Sequence, residues 1–74
     1  MDDRLERYIR SKCRQHRIDF HEWKRKLLEL KRELMEYGVA PLDGLLISQA
    51  FQKFEIGIGD LRQIRRDSDL ILQD

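Results

Sequence analysis

Apolar residues recur at helical spacing along most of this chain. Leu5, Tyr8, Ile9 and Cys13 repeat behind Asp2 and Asp3, whose carboxylates suit the positive end of a helix dipole. They predict a first helix from about Asp3 to His16. Asp19 and Glu22 have the spacing of a capping box, with Ile18 and Trp23 at the two positions of a hydrophobic staple, so a second helix begins at Asp19. Its seam of Phe20, Trp23, Leu27, Leu30, Leu34 and Tyr37 alternates steps of three and four, widened by Leu28 and Met35. Stop signals then accumulate. Gly38 suits a left-handed end, Val39 can cover Leu34, and Pro41 follows, which places the end at Tyr37 or Gly38.

Pro41 suits the first turn of a third helix, and Leu42, Leu45, Leu46, Ala50, Phe51 and Phe54 give it a broad apolar face extended by Ile47. This helix should be the most buried. After Gly57 and Gly59, Asp60 can cap a short fourth helix carrying Leu61, Ile64, Ser68, Ile71 and Leu72. Phe54, Ile56 and Ile58 also alternate with Glu55 and Gly57, and Leu70-Ile71-Leu72 is a β-compatible run, so a short C-terminal β-ribbon is the alternative. Two glycines weaken that strand. The reading is all-α: one small domain over residues 1–74, a bundle of three to four helices with one long central helix.

Composition supports a folded chain. Hydrophobic residues are 41% and charged residues 39%, with four Gly and one Pro, which is too apolar for disorder. A core this small leaves only about 3 to 5 kcal/mol, so a partner or second copy is expected to help. Cys13 is the single cysteine and cannot form an intramolecular disulfide, which fits a reducing, cytoplasmic location. No apolar stretch follows the charged N-terminus, and the longest apolar run is Leu45-Leu46-Ile47, so neither secretion nor membrane association is expected.

Catalytic and cofactor chemistry find little material. Cys13, His16 and His21 are too few for a structural zinc site and lack its spacing. Ser11, Ser48 and Ser68 sit in no nucleophile motif, and Gly57-Ile58-Gly59 lacks both the third glycine of a dinucleotide loop and the Gly-Lys-Ser of a P-loop. The chain is therefore expected to be no enzyme and to use no cofactor, metal or small-molecule substrate.

The net charge is only +1, but the charges are unevenly placed. Arg4 to Arg32 holds eleven basic against four acidic residues, a surplus of seven, whereas Gly38 to Asp74 holds four basic against six acidic. Arg7, Arg10, Arg14 and Arg17 would form a cationic ridge able to displace counterions from phosphates. In the second helix, i,i+4 pairing of Glu22 with Lys26, Arg25 with Glu29 and Arg32 with Glu36 predicts a solvated face.

Two functional expectations follow. The first is a small regulatory or adaptor protein acting by helix-mediated protein–protein interaction as a homodimer, through Phe20, Trp23, Leu27, Leu30, Leu34 and Tyr37. The seam of about 18 residues, near 27 Å, exceeds the roughly 12-residue helices expected beside it. The alternative is a nucleic-acid-binding transcriptional regulator using Arg7, Arg10, Arg14 and Arg17 with Arg62, Arg65 and Arg66 of a degenerate helix-turn-helix around Gly57. That motif fits imperfectly, because Lys53 and Gln63 occupy positions expected to be small and apolar. A third possibility is that the basic first helix docks on the acidic C-terminal half of the same chain.

Overall fold

A computed structural model describes residues 2–38 and 42–73. The chain is an all-α bundle of α1 (Asp3–Gln15), α2 (Phe20–Met35), α3 (Gly44–Gln52) and α4 (Ile58–Gln73). Among the described residues there is no strand. The ribbon alternative is thereby corrected: Ile58 and Leu70 to Leu72 belong to α4, where Leu61, Ile64, Ser68 and Ile71 share one inward stripe. A period of 3.6 buries more of these residues than alternation does.

Local chemistry explains the boundaries. The Asp2 carboxylate accepts from the Arg4 N–H (2.7 Å), and the Asp19 carboxylate accepts from the Glu22 N–H (3.1 Å) as the capping reading requires. Ile18 and Trp23, the staple positions, both pack in the core. At the end of α1, the Arg17 N–H donates to the Arg14 carbonyl (3.3 Å) and the Ile18 N–H to the Cys13 carbonyl (2.8 Å). With Arg17 at φ 56, this is a Schellman turn whose left-handed position holds arginine in place of glycine.

Three expected boundaries move. Helix α2 ends at Met35, and Gly38, at φ 91, closes the turn that follows. Helix α3 begins at Gly44 with Asp43 as its cap, its carboxylate accepting from the Leu46 N–H (2.8 Å), so Leu42 precedes the helix and Phe54 follows it. The expected roles of Val39 and Pro41 lie outside the described residues. Helix α4 is sixteen residues long, not short, and Asp60 lies in its first turn instead of capping it. The left-handed residue of the α3–α4 connection is Glu55, at φ 59, not a glycine.

Core packing runs through aromatic rings. Trp23 is fully buried, with the ring of Phe51 of α3 at 5.1 Å and that of Phe20 at 6.2 Å. Leu5, Ile9 and Cys13 of α1, Leu27 of α2, Leu46, Ile47 and Ala50 of α3, and Ile64 of α4 complete the buried set. The expectation that α3 is the most buried helix holds for Leu46 to Ser48, Ala50 and Phe51, but Leu45 faces solvent. Two buried polar atoms, Trp23 Nε1 and Ser68 Oγ, have no hydrogen-bond partner among the described residues.

The tightest helix contact joins α3 to α4. The Gly44 N–H donates to the Asp69 carboxylate (2.8 Å), and a Cβ at Gly44 would collide with that carboxylate and with the Arg65 carbonyl oxygen. The start of α3 therefore lies beside the middle of α4, while Gln52 lines the same groove as Ile58. The two helices run antiparallel along the length of α3, as an αα-hairpin.

Two substitutions test this packing. Trp23→Ala is expected to lower stability by about 3 to 5 kcal/mol in urea unfolding, the range for losing a buried indole. Gly44→Ala is expected to cost about 1 to 3 kcal/mol through overpacking, whereas Gly59→Ala, which meets nothing within 4 Å, should cost nothing. Equal effects at the two glycines would show that α3 and α4 do not touch at Gly44.

Candidate interaction surface

The seam of α2 divides in two. Phe20, Trp23 and Leu27 are buried in the core, and Leu30 packs half-buried against it. Beyond Leu30 the same face outruns its neighbours: Leu34 is 37% exposed and Tyr37 85%, with Leu28 at 54% and Met35 at 68% on the flank. The reason is placement. Helix α2 packs against α1 and α3 but has no contact with α4, and α3 is only nine residues long, so its last turns have no full-length helix beside them.

Polar residues along α2 are arranged differently from the i,i+4 expectation. Glu22 pairs with Arg25 (3.6 Å) and Lys26 with Glu29 (3.8 Å), both at i,i+3. Glu33 and Glu36 are exposed and make no ion pair among the described residues. At about 100° per residue, Glu33 stands next to Leu30, on its outward side.

Two grooves flank the outer ridge of α3. The groove toward α2 is lined by Leu30, Gln49, Gln52 and Lys53, with a volume of about 450 Å³. The groove toward α4, about 240 Å³, is lined by Leu45, Ile58, Leu61, Arg62 and Arg65. Gln49 and Gln52 line both grooves, so the two open on one face of the bundle.

The candidate nucleic-acid residues are all exposed and lie on α1, its terminal turn and α4. Arg7, Arg10, Arg14 and Arg17 are exposed on α1 and its terminal turn. Arg10 leans toward α2, its Cζ 4.1 Å above the Phe20 ring and its Nη2 3.9 Å from Glu6, while Arg7 Nε donates to the Asp3 carbonyl (3.4 Å). The opposite flank of α1 meets α4, where the Tyr8 hydroxyl donates to Asp67 (2.7 Å). Arg62, Arg65 and Arg66 are exposed on α4 and have no acidic partner among the described residues. Helices α3 and α4 also lie side by side, whereas a helix-turn-helix crosses its helices at about 90 to 120°. Among the described residues, α1 meets the acidic half through the Tyr8 hydroxyl on Asp67 and Arg4 on the Ile71 carbonyl (3.5 Å).

Titratable groups in the α1 contacts are held neutral. Burial, then the Asp19 carboxylate, push the Cys13 thiol up to about 11, opposed by the Arg10 guanidinium. Burial also raises the Tyr8 phenol well above its ordinary value, followed by its hydrogen bond to Asp67 and that carboxylate's charge. A thiol raised in this way is protonated at neutral pH, which lowers its nucleophilic character. No described helix is long and apolar enough to cross a membrane. Comparison with protein families, characterised proteins and solved structures finds no match to this chain.

These raised values set an alkaline limit. In the unfolded chain the thiol ionises near pH 8.5 and the phenol near 10. Both stay protonated in the fold, so their contribution is complete below those values and is lost as pH rises, for Cys13 between about 9 and about 11. Urea melts are expected to hold steady from pH 7 to 8 and weaken from about pH 9. Cys13→Ala should delay the onset toward pH 10; an unchanged onset would show that the thiol is not responsible.

Proposed function

We propose that this chain is a small non-enzymatic interaction module, regulatory or adaptor in role, that works as a homodimer through the projecting half of α2. The observation that carries the reading is the continuation of the α2 core face past its intramolecular partners, ending in exposed Leu34 and Tyr37. Exposed aromatic and Met side chains are the anchors that protein interfaces favour. The small core adds support, since association contributes stability that a chain of this length has little means to supply alone. Both charge signs occur on the projecting segment, in Lys31, Arg32, Glu33 and Glu36, which suits pairing with a copy of itself.

A second reading, nucleic-acid binding, draws on the unpaired α4 arginines and on the exposed ridge of α1. Fluorescence anisotropy with a labelled random-sequence duplex separates the two: salt-sensitive binding supports it, and no binding at low salt removes it.

Sedimentation velocity across a concentration series tests the leading reading. The weight-average mass is expected to rise toward that of two chains at micromolar concentration. Replacing Met35 and Tyr37 together by Ser should return the chain to a monomer while dilute-solution stability changes by no more than about 0.5 kcal/mol, as for surface positions. A wild-type chain that stays monomeric at high micromolar concentration overturns the homodimer.

A further inference from the structure

Two helical stripes wall the α3–α4 groove. Leu45, Ser48, Gln49 and Gln52 form one face of α3, and Ile58, Leu61, Arg62 and Arg65 form one face of α4 at the same i, i+3, i+4, i+7 spacing. Each stripe covers two helical turns, about 10 Å at 1.5 Å per residue. Apolar surface lies open along it, with Leu45 42% and Ile58 68% exposed. Ser48 donates to the Leu45 carbonyl of its own helix (2.9 Å), but the Gln49 and Gln52 amides make no hydrogen bond, and Arg62 and Arg65 no ion pair, among the described residues.

Charge is sorted around this groove. Residues 38–74 hold four basic residues, Lys53, Arg62, Arg65 and Arg66, against six acidic ones. Arg62 and Arg65 line this groove and Lys53 lines the adjoining one, whereas no acidic residue lines either. Asp43, Asp67 and Asp69 are occupied elsewhere, accepting from the Leu46 N–H, the Tyr8 hydroxyl and the Gly44 N–H. Glu55 and Asp60 are exposed outside the lining. A cationic, apolar trough therefore stands in the acidic half of the chain.

We propose that the α3–α4 groove binds an acidic amphipathic segment of a partner protein, one that sets carboxylates beside large apolar side chains. The surface is separate from the α2 edge, and the proposal holds whether or not the chain dimerises. Arg62 and Arg65 lie one turn apart, which is also the separation of carboxylates at i and i+3 or i+4 of an incoming helix, and each guanidinium can hold a carboxylate bidentately. Gln49 and Gln52 can each donate and accept, which suits polar groups on the same segment. Leu45 and Ile58 decide which anion fits. A phosphodiester backbone would neutralise the two arginines and leave that apolar surface in water, whereas the apolar side chains of a peptide bury it.

Peptide display tests the proposal. A library of random peptides about sixteen residues long is selected on the immobilised full chain, and enriched peptides are synthesised with a fluorescent label for anisotropy titration. They are expected to carry Asp or Glu one helical turn apart beside large apolar residues, and to bind about tenfold more weakly at high salt than at low. Arg62→Gln with Arg65→Gln is expected to weaken binding about tenfold, as is Ile58→Ser, each with wild-type helicity by circular dichroism. An oligoglutamate peptide of equal charge should bind about tenfold more weakly than the selected peptides, because it has no apolar side chains. Replacing Met35 and Tyr37 together by Ser should leave peptide binding unchanged. Should the glutamine pair lower helicity, Ile58→Ser and the salt dependence decide alone. A selection that enriches nothing, enriched peptides without acidic residues, or groove variants that bind as the wild type does overturn the proposal. Loss of binding on Met35 and Tyr37 replacement overturns it in favour of the α2 edge, and a random-sequence duplex that displaces the peptides and is released by the arginine variants overturns it in favour of nucleic acid.

Discussion

The indole of Trp23 sets the arrangement of this bundle. It fills the space between α2 and α3 against Phe51, and its neighbour Phe20 carries Arg10 of α1 on the outer face of its ring. Three helices are thus tied together by one line of aromatic contacts. Those contacts lie in the first half of α2, because Phe20, Trp23 and Leu27 hold its bulk there, and the second half follows as a rigid extension. A helix anchored at one end presents its other end with little further loss of conformational freedom, which is the condition under which exposed side chains contribute to binding.

The α3–α4 hairpin acts as the second frame. Asp69 reaches across to the first turn of α3 and satisfies an N–H that the helix cannot pair internally, doing so beside Asp43. This tertiary cap holds the two helices close enough that only glycine fits at position 44.

Much of this was legible in the sequence. The capping box at Asp19, the seam of α2 and the inward stripes of α1 and α4 follow from carboxylate spacing and the 3.6-residue period, which are local properties. What escaped were features fixed by non-local contact. Arg17 and Glu55 take left-handed conformations normally associated with glycine, so glycine counting placed the second turn at Gly57. The late start of α3 is set by the local cap Asp43 and is braced by Asp69, twenty-five residues away from Gly44. The α2 seam reads as one uniform stripe from Phe20 to Tyr37. Only the shortness of α3 and the absence of any α2–α4 contact divide it into a core half and an exposed half. The α4 groove escaped for a related reason, because Leu45 and Ile58 are equally apolar whether they face the core or solvent.

Cys13 has a further consequence. Its thiol is 2% exposed on the inner side of α1, next to the turn that Arg17 holds in a strained conformation. That sulfur also lines a surface pocket with Arg10, Arg14, Ile18 and Phe20, so the rate of thiol modification is a clock for local opening at this one corner. With no second cysteine in the chain, every such event is recorded at a single address, and the lifetime of the closed bundle becomes a chemical observable that needs no denaturant.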